Sequence, residues 1–200
     1  MTRQECLTAF QSMLDDGYHC SQCVFLHWAQ LLGIEDEFAI KVSSGLGMGV
    51  NHGDSCGAVT STVLALGLVH GFSQGSESGA KGGVEDTVKK FEAAFIERNG
   101  SLMCRDLLSG NYDAADPNSK APEGVDPWEN CAKYCADAVE LAEIYFTPTD
   151  IAKRPQAEKL QKHAAPAFVG AGAGAAGFAL GLGTMAVVSY ERRRAANECE

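Results

Sequence analysis

The chain has 200 residues, 46% of them hydrophobic, and a formal charge of −10. That balance excludes nonspecific nucleic-acid binding, which needs clustered Lys and Arg to replace counterions, and the length suits one domain with an appendage. The amino terminus shows no basic stretch followed by an apolar one, so the domain is expected in a reducing cytoplasm.

Alternating β-branched runs are nearly absent and apolar residues recur at helical spacing, which predicts an all-α fold: a compact helical bundle. The first helix is expected over residues 3–14, with Cys6, Phe10, Met13 and Leu14 at helical spacing, and Asp15-Asp16-Gly17 stopping it. A second spans 20–32 and ends at Gly33, and a short third runs through 35–43. A glycine-rich loop, 45–55, leads into a fourth helix over 56–69, with Asp54 or Ser55 as its N-cap. The Gly/Ser-rich stretch 71–83 reads as a flexible loop, followed by a fifth helix over 84–98 that Asn99-Gly100 closes. A short helix at 102–108 carries Cys104, and a proline-containing surface loop fills 109–127. A sixth helix is expected over 127–145, with Pro127 in its first turn and Thr147-Pro148 ending it.

Residues 164–190 carry no charged side chain, with Lys159, Lys162 and His163 before them and Arg192-Arg193-Arg194 after. A helix needs about 20 apolar residues to cross the hydrocarbon core, so a separate C-terminal transmembrane helix is expected. Gly170, Gly174, Gly177 and Gly181 fall on one face of it, which suits close packing of a second copy and a homo-oligomer. The resulting organisation is a cysteine domain over 1–147, a linker over 148–163, the span over 164–190 and a basic, polar tail over 191–200. A single-pass membrane protein with a cytoplasmic domain is the simplest placement. The three arginines after the span run against the positive-inside tendency, and export with a partner or removal of the tail would resolve that conflict.

The chemistry is expected in the eight cysteines. Cys20-Ser-Gln-Cys23 is a C-x-x-C at a predicted helix start, where backbone N–H groups and the helix dipole favour a thiolate. Cys56 opens another helix, after a loop of small residues. Cys131 and Cys135, four apart, can face one side of the sixth helix. Cys104 taken alone reads as a small buried hydrophobe, and Cys6 and Cys199 as incidental. His19 and His52 lie near Cys20 and Cys56 as candidate acid/base or ligand partners. The glycine loop is neither a phosphate loop nor a dinucleotide fingerprint: no Gly-Lys-Ser/Thr follows it and no strand precedes it.

The segments from Gly17 through Cys20 to Val24, from Gly45 to Gly49, from Cys56 to Ser61 with Leu66-Gly67, Cys104-Arg-Asp-Leu and Cys131-Ala-Lys-Tyr together resemble the C_GCAxxG_C_C family of small redox-active proteins. The likeness covers roughly residues 4–146. It implies four signature cysteines at Cys20, Cys56, Cys104 and Cys131, and a redox role rather than a particular reaction. Ser61 stands at the motif's last glycine, which questions close packing there. Cys23 and Cys135 are additions that the pattern does not require, and the charge-free tail lies outside the likeness.

Three functions follow as expectations. The first is thiol–disulfide chemistry by a candidate oxidoreductase, with Cys20 and Cys56 as nucleophile candidates and Cys104 and Cys131 completing a second pair or relay. The second is an iron–sulfur or zinc centre held by Cys20, Cys56, Cys104 and Cys131, or by Cys20, Cys23, Cys131 and Cys135, which would make the protein an electron carrier. The third is a membrane-linked accessory subunit of a transporter. A redox partner or a transporter protein at the membrane is the expected partner.

Overall fold

The computed structural model describes residues 2–152 apart from Ala115. Within them the chain forms helices α1 (Arg3–Asp15), α2 (Cys20–Leu32), α3 (Asp36–Ser43), α4 (Gly57–His70), α5 (Ser78–Asn99), α6 (Cys104–Leu107), α7 (Cys131–Ala142) and α8 (Pro148–Ala152). Among these residues no strand occurs, and Ser55 and Met103 make one isolated antiparallel bridge. The expected compact, all-helical domain is what the described residues form. None of their helices is long and apolar enough to cross a membrane. The expected span, 164–190, lies outside the described residues, as does Cys199.

Local signals set the first two helices. Thr2 and Glu5 cap α1 reciprocally, with the Thr2 N–H donating to Glu5 at 2.7 Å and the Glu5 N–H to Thr2 Oγ1 at 3.3 Å. Gly33, at φ 68°, ends α2 in the left-handed conformation that glycine adopts without steric cost. Helix α4 is apolar on nearly every side, and α2, α5 and α7 pack around it. A helix without a polar face belongs at the centre of a bundle. Around it, Phe91 and Phe95 of α5 are buried, and Trp28 of α2 stacks on Phe146 with ring centroids 3.9 Å apart. Each such side chain contributes roughly 1.5–3 kcal/mol through burial. His27 packs edge-on to Trp28, and burial pushes its imidazole down to about 4, so it stays neutral.

Three boundaries differ from expectation. Helix α5 begins at Ser78, inside the stretch read as a loop. Its glycines cost about 1 kcal/mol each, but extending a helix already anchored by Phe91 and Phe95 is far cheaper than nucleating one. Helix α7 begins at Cys131 and not at Pro127, because the Asp126 carboxylate takes the Trp128 N–H at 2.9 Å and the Cys131 N–H turns back to the Trp128 carbonyl at 2.8 Å. The N-cap of α4 is Cys56 itself. Asp54 is drawn away into an ion pair with Arg105.

Asp137 of α7 is fully buried and ties three helices together. Its carboxylate meets Arg3 of α1 at 2.5 Å, Lys133 at 2.8 Å and Arg98 of α5 at 3.6 Å. Burial pushes the carboxyl up, but hydrogen bonds from Lys133 and Arg3 outweigh it and hold the group below its ordinary value. A depressed native value stabilises the fold above the unfolded-state value and loses that contribution as pH falls through the native one. Asp137→Asn is therefore expected to cost about 2 kcal/mol at neutral pH, as charged hydrogen bonds are lost. Urea unfolding across the acid range should show this gap narrowing as pH falls below about 4.

Candidate functional site

Cys20 is the first residue of α2 and Cys56 caps α4, so two helix N-termini meet at one pair of sulfurs. The Cys20 sulfur accepts hydrogen bonds from the Cys56 thiol and from the backbone N–H groups of Met48, Ser21 and Gly57. The Cys56 bond does most to lower the Cys20 pKa; burial opposes it, the three N–H groups add to it, and the value settles at about 7. A large share of Cys20 is thus thiolate at neutral pH. Cys56 moves the opposite way. Donating its proton to Cys20, burial and the neighbouring negative charge all hold it well above an ordinary thiol.

Close packing makes the cradle. A Cβ at Gly57 would lie 2.6 Å from Cys20 Sγ and 3.1 Å from the Ser21 nitrogen, so only glycine brings this N–H to the sulfur. Ser61, questioned above, fits: it is fully buried and its hydroxyl donates to the Ser21 carbonyl at 2.8 Å, joining α4 to α2. His19 donates its backbone N–H to the Gln22 side chain at 2.9 Å, and its Nδ1 lies 3.2 Å from the Ser44 carbonyl. The ring occupies the space a Gly47 side chain would need, 2.1 Å from that Cβ position.

The Met48 N–H is delivered by unusual backbone. Met48, Gly49, Val50 and Asn51 have φ of 54°, 62°, 58° and 57°, a consecutive left-handed turn, and Gly53 follows at 69°. For non-glycine residues this conformation costs roughly 1–2 kcal/mol each, and for a β-branched residue such as Val50 it is a true outlier. Gly49 has no alternative, since a Cβ there would lie 2.5 Å from the Asp54 nitrogen and 2.8 Å from Cys104 Cβ. The segment around Cys104 backs this turn. The Cys104 N–H donates to the Asp54 carbonyl at 2.6 Å and the Cys56 N–H to the Leu102 carbonyl at 2.8 Å. The Tyr134 hydroxyl of α7 holds the end of α6 through the Leu107 carbonyl at 3.0 Å.

Five further thiols lie within electrostatic reach of Cys20. Its charge acts on Cys23, Cys56, Cys104, Cys131 and Cys135, and Cys135 Sγ lies 3.7 Å from the Cys20 carbonyl. Burial first, then Cys20, pushes Cys23 and Cys104 up to about 12 and raises Cys131 and Cys135 as well. Cys20 and Cys131 are half-buried, whereas Cys23, Cys56, Cys104 and Cys135 are buried. The hydrogen-bonded partner of Cys20 is thus Cys56 and not the other cysteine of the C-x-x-C. Cys6 stands apart, beside Glu143 and Glu5. His52 offers its carbonyl to Arg105 at 3.3 Å, and its side chain makes no contribution to the Cys20 cradle. Among the described residues no three His, Cys, Asp or Glu side chains are placed to hold one metal ion, so neither four-cysteine set forms a ready donor shell.

Sequence reasoning missed Arg105, Ser61 as an interhelical bond, and the left-handed turn. Glycines at 45, 47, 49 and 53 signalled an irregular loop, but a positive φ at Met48 and Val50 has no sequence signature. A family model described as "Putative redox-active protein (C_GCAxxG_C_C)" matches residues 18–145, more than half of the chain. No curated protein and no solved structure matches it.

Proposed function

We propose that this chain, which belongs to the C_GCAxxG_C_C family of redox-active proteins, is a thiol–disulfide oxidoreductase in which Cys20 attacks and Cys56 resolves. The observation that carries the reading is the cradle: three backbone N–H groups and the Cys56 thiol converge on the sulfur of Cys20. A thiolate near neutrality combines population with nucleophilicity, the best compromise for exchange. In the proposed step, Cys20 thiolate bonds to one sulfur of a substrate disulfide and expels the other as thiolate. The negative charge that held the Cys56 proton is then gone. Cys56 gives its proton to the expelled thiolate and attacks Cys20 Sγ. That attack expels the second substrate sulfur as a thiolate, which takes a proton from solvent, so the substrate leaves with two thiols in all and the protein keeps a Cys20–Cys56 disulfide. Two electrons pass to the substrate, and the reverse sequence would oxidise a dithiol. Cys104 and Cys131 would complete the second pair of a relay, with half-buried Cys131 as its outlet.

The test is trapping. With a chromogenic aryl disulfide, Cys56→Ser should stall as a mixed disulfide on Cys20, seen as a stable mass adduct. Rapid turnover without an adduct would remove Cys56 from the resolving role.

An iron–sulfur or zinc centre on Cys20, Cys56, Cys104 and Cys131 is the second reading. It is favoured by the electrostatic reach of Cys20 to the other three and opposed by the lack of a donor group set for one ion among the described residues. The proposal extends to the tail. The charge-free stretch 164–190 with its basic flanks supports a single-pass anchor that holds the domain, over 1–147, at a cytoplasmic membrane face beside a redox partner or transporter. The glycine face 170/174/177/181 supports self-association.

A further inference from the structure

Holding a left-handed turn of four residues against solvent needs an anchor. Arg105, the second residue of α6, lies across the end of that turn. Its Nε donates to the Gly53 carbonyl at 3.0 Å, and its terminal nitrogen to the His52 carbonyl at 3.3 Å and to the Asp54 carboxylate. One guanidinium thus gathers three consecutive residues. The Asp54 N–H in turn closes on the Gly49 carbonyl at 3.0 Å, so the clamp reaches the turn itself. Arg105 makes no contact with the Cys20 sulfur, whose partners are Cys56, Met48, Ser21 and Gly57.

We infer that Arg105 is a positioning residue for Cys20: it locks the strained turn 48–53 so that the Met48 N–H stays aimed at the attacking sulfur. The inference rests on the thiolate reading above. It assigns Arg105 geometry rather than charge, because a planar fork can span several acceptors at once and an ammonium group cannot. It also explains why Val50, which disfavours this backbone, is tolerated: released from the clamp, the turn relaxes toward the ordinary regions and withdraws the Met48 N–H.

The experiment is the pH profile of Cys20 alkylation by iodoacetamide in the full chain, with the modified residue located by peptide mass and helicity followed by circular dichroism. The wild type should titrate at about 7. Arg105→Ala should move the midpoint toward that of a free thiol and slow alkylation at about pH 6.5 by about fivefold or more, with rates converging in strong base. Arg105→Lys, which keeps the charge, should behave like the alanine variant. Val50→Gly in the Arg105→Ala background should restore much of the loss, since glycine holds a positive φ without steric cost. A wild-type profile in Arg105→Ala or Arg105→Lys would overturn the inference. So would any loss, of thiolate or of fold, that Val50→Gly fails to relieve. A wild-type midpoint at an ordinary thiol value would instead overturn the thiolate reading itself.

Discussion

Replacing Cys20 by serine is expected to bring disulfide exchange down by at least about a thousandfold, to the background rate, while helicity stays unchanged. A serine hydroxyl fits the same cradle and can accept the same N–H bonds, so the fold has no reason to move. What disappears is the only cysteine among the described residues whose pKa is lowered toward neutrality. Cys23→Ser is the informative companion. It breaks the C-x-x-C just as completely, yet Cys23 is buried and held up to about 12. The first attack should survive in that variant. Stopped-flow release of an aryl thiolate reads both, and equal losses in the two variants would place the nucleophile in the C-x-x-C pair instead of the Cys20–Cys56 pair.

Gly57→Ala is expected to damage stability and chemistry together. Its Cβ would sit 2.6 Å from Cys20 Sγ and 3.1 Å from the Leu46 carbonyl and the Ser21 nitrogen, two backbone atoms that cannot rotate away. Overpacking of this kind costs roughly 1–3 kcal/mol. The displacement also pushes the sulfur off the Gly57 N–H and the Cys56 thiol, so Cys20 should titrate closer to an ordinary thiol. Gly67→Ala on the same helix is the control. Nothing lies within 4 Å of its Cβ position, and alanine there should be neutral or stabilising by up to about 1 kcal/mol. Urea unfolding and Cys20 alkylation, measured on both variants, separate a crowded crossing from a general intolerance of α4.

How much of this was legible beforehand follows from the range of each interaction. Helices α1 and α2 end where Asp15-Asp16-Gly17 and Gly33 say they should, because caps act within one turn. The start of α7 was misplaced because Pro127 favours a first helical turn, whereas the competing Asp126 bond to the Trp128 N–H is equally local but chooses a turn. The start of α5 was missed because glycine propensity is a weak prior against an anchored helix. At the site, placing Cys20 and Cys56 at helix starts pointed to thiolates at both. Only packing decides between them: one sulfur receives all the donors and the other supplies one. Cys23 drew attention by its spacing to Cys20, yet the hydrogen-bonded partner comes from another helix entirely. Arg105 could not be seen at all, since its partners lie some fifty residues back along the chain.

The full chain, purified without oxygen, should be assayed for iron, zinc and sulfide, mildly oxidised, and its disulfides mapped by mass spectrometry. A Cys20–Cys56 disulfide that forms and reduces reversibly, in protein without stoichiometric metal, is the predicted result. About one metal ion or cluster per chain, lost when Cys20, Cys56, Cys104 or Cys131 is replaced, would contradict it and make these cysteines a metal centre.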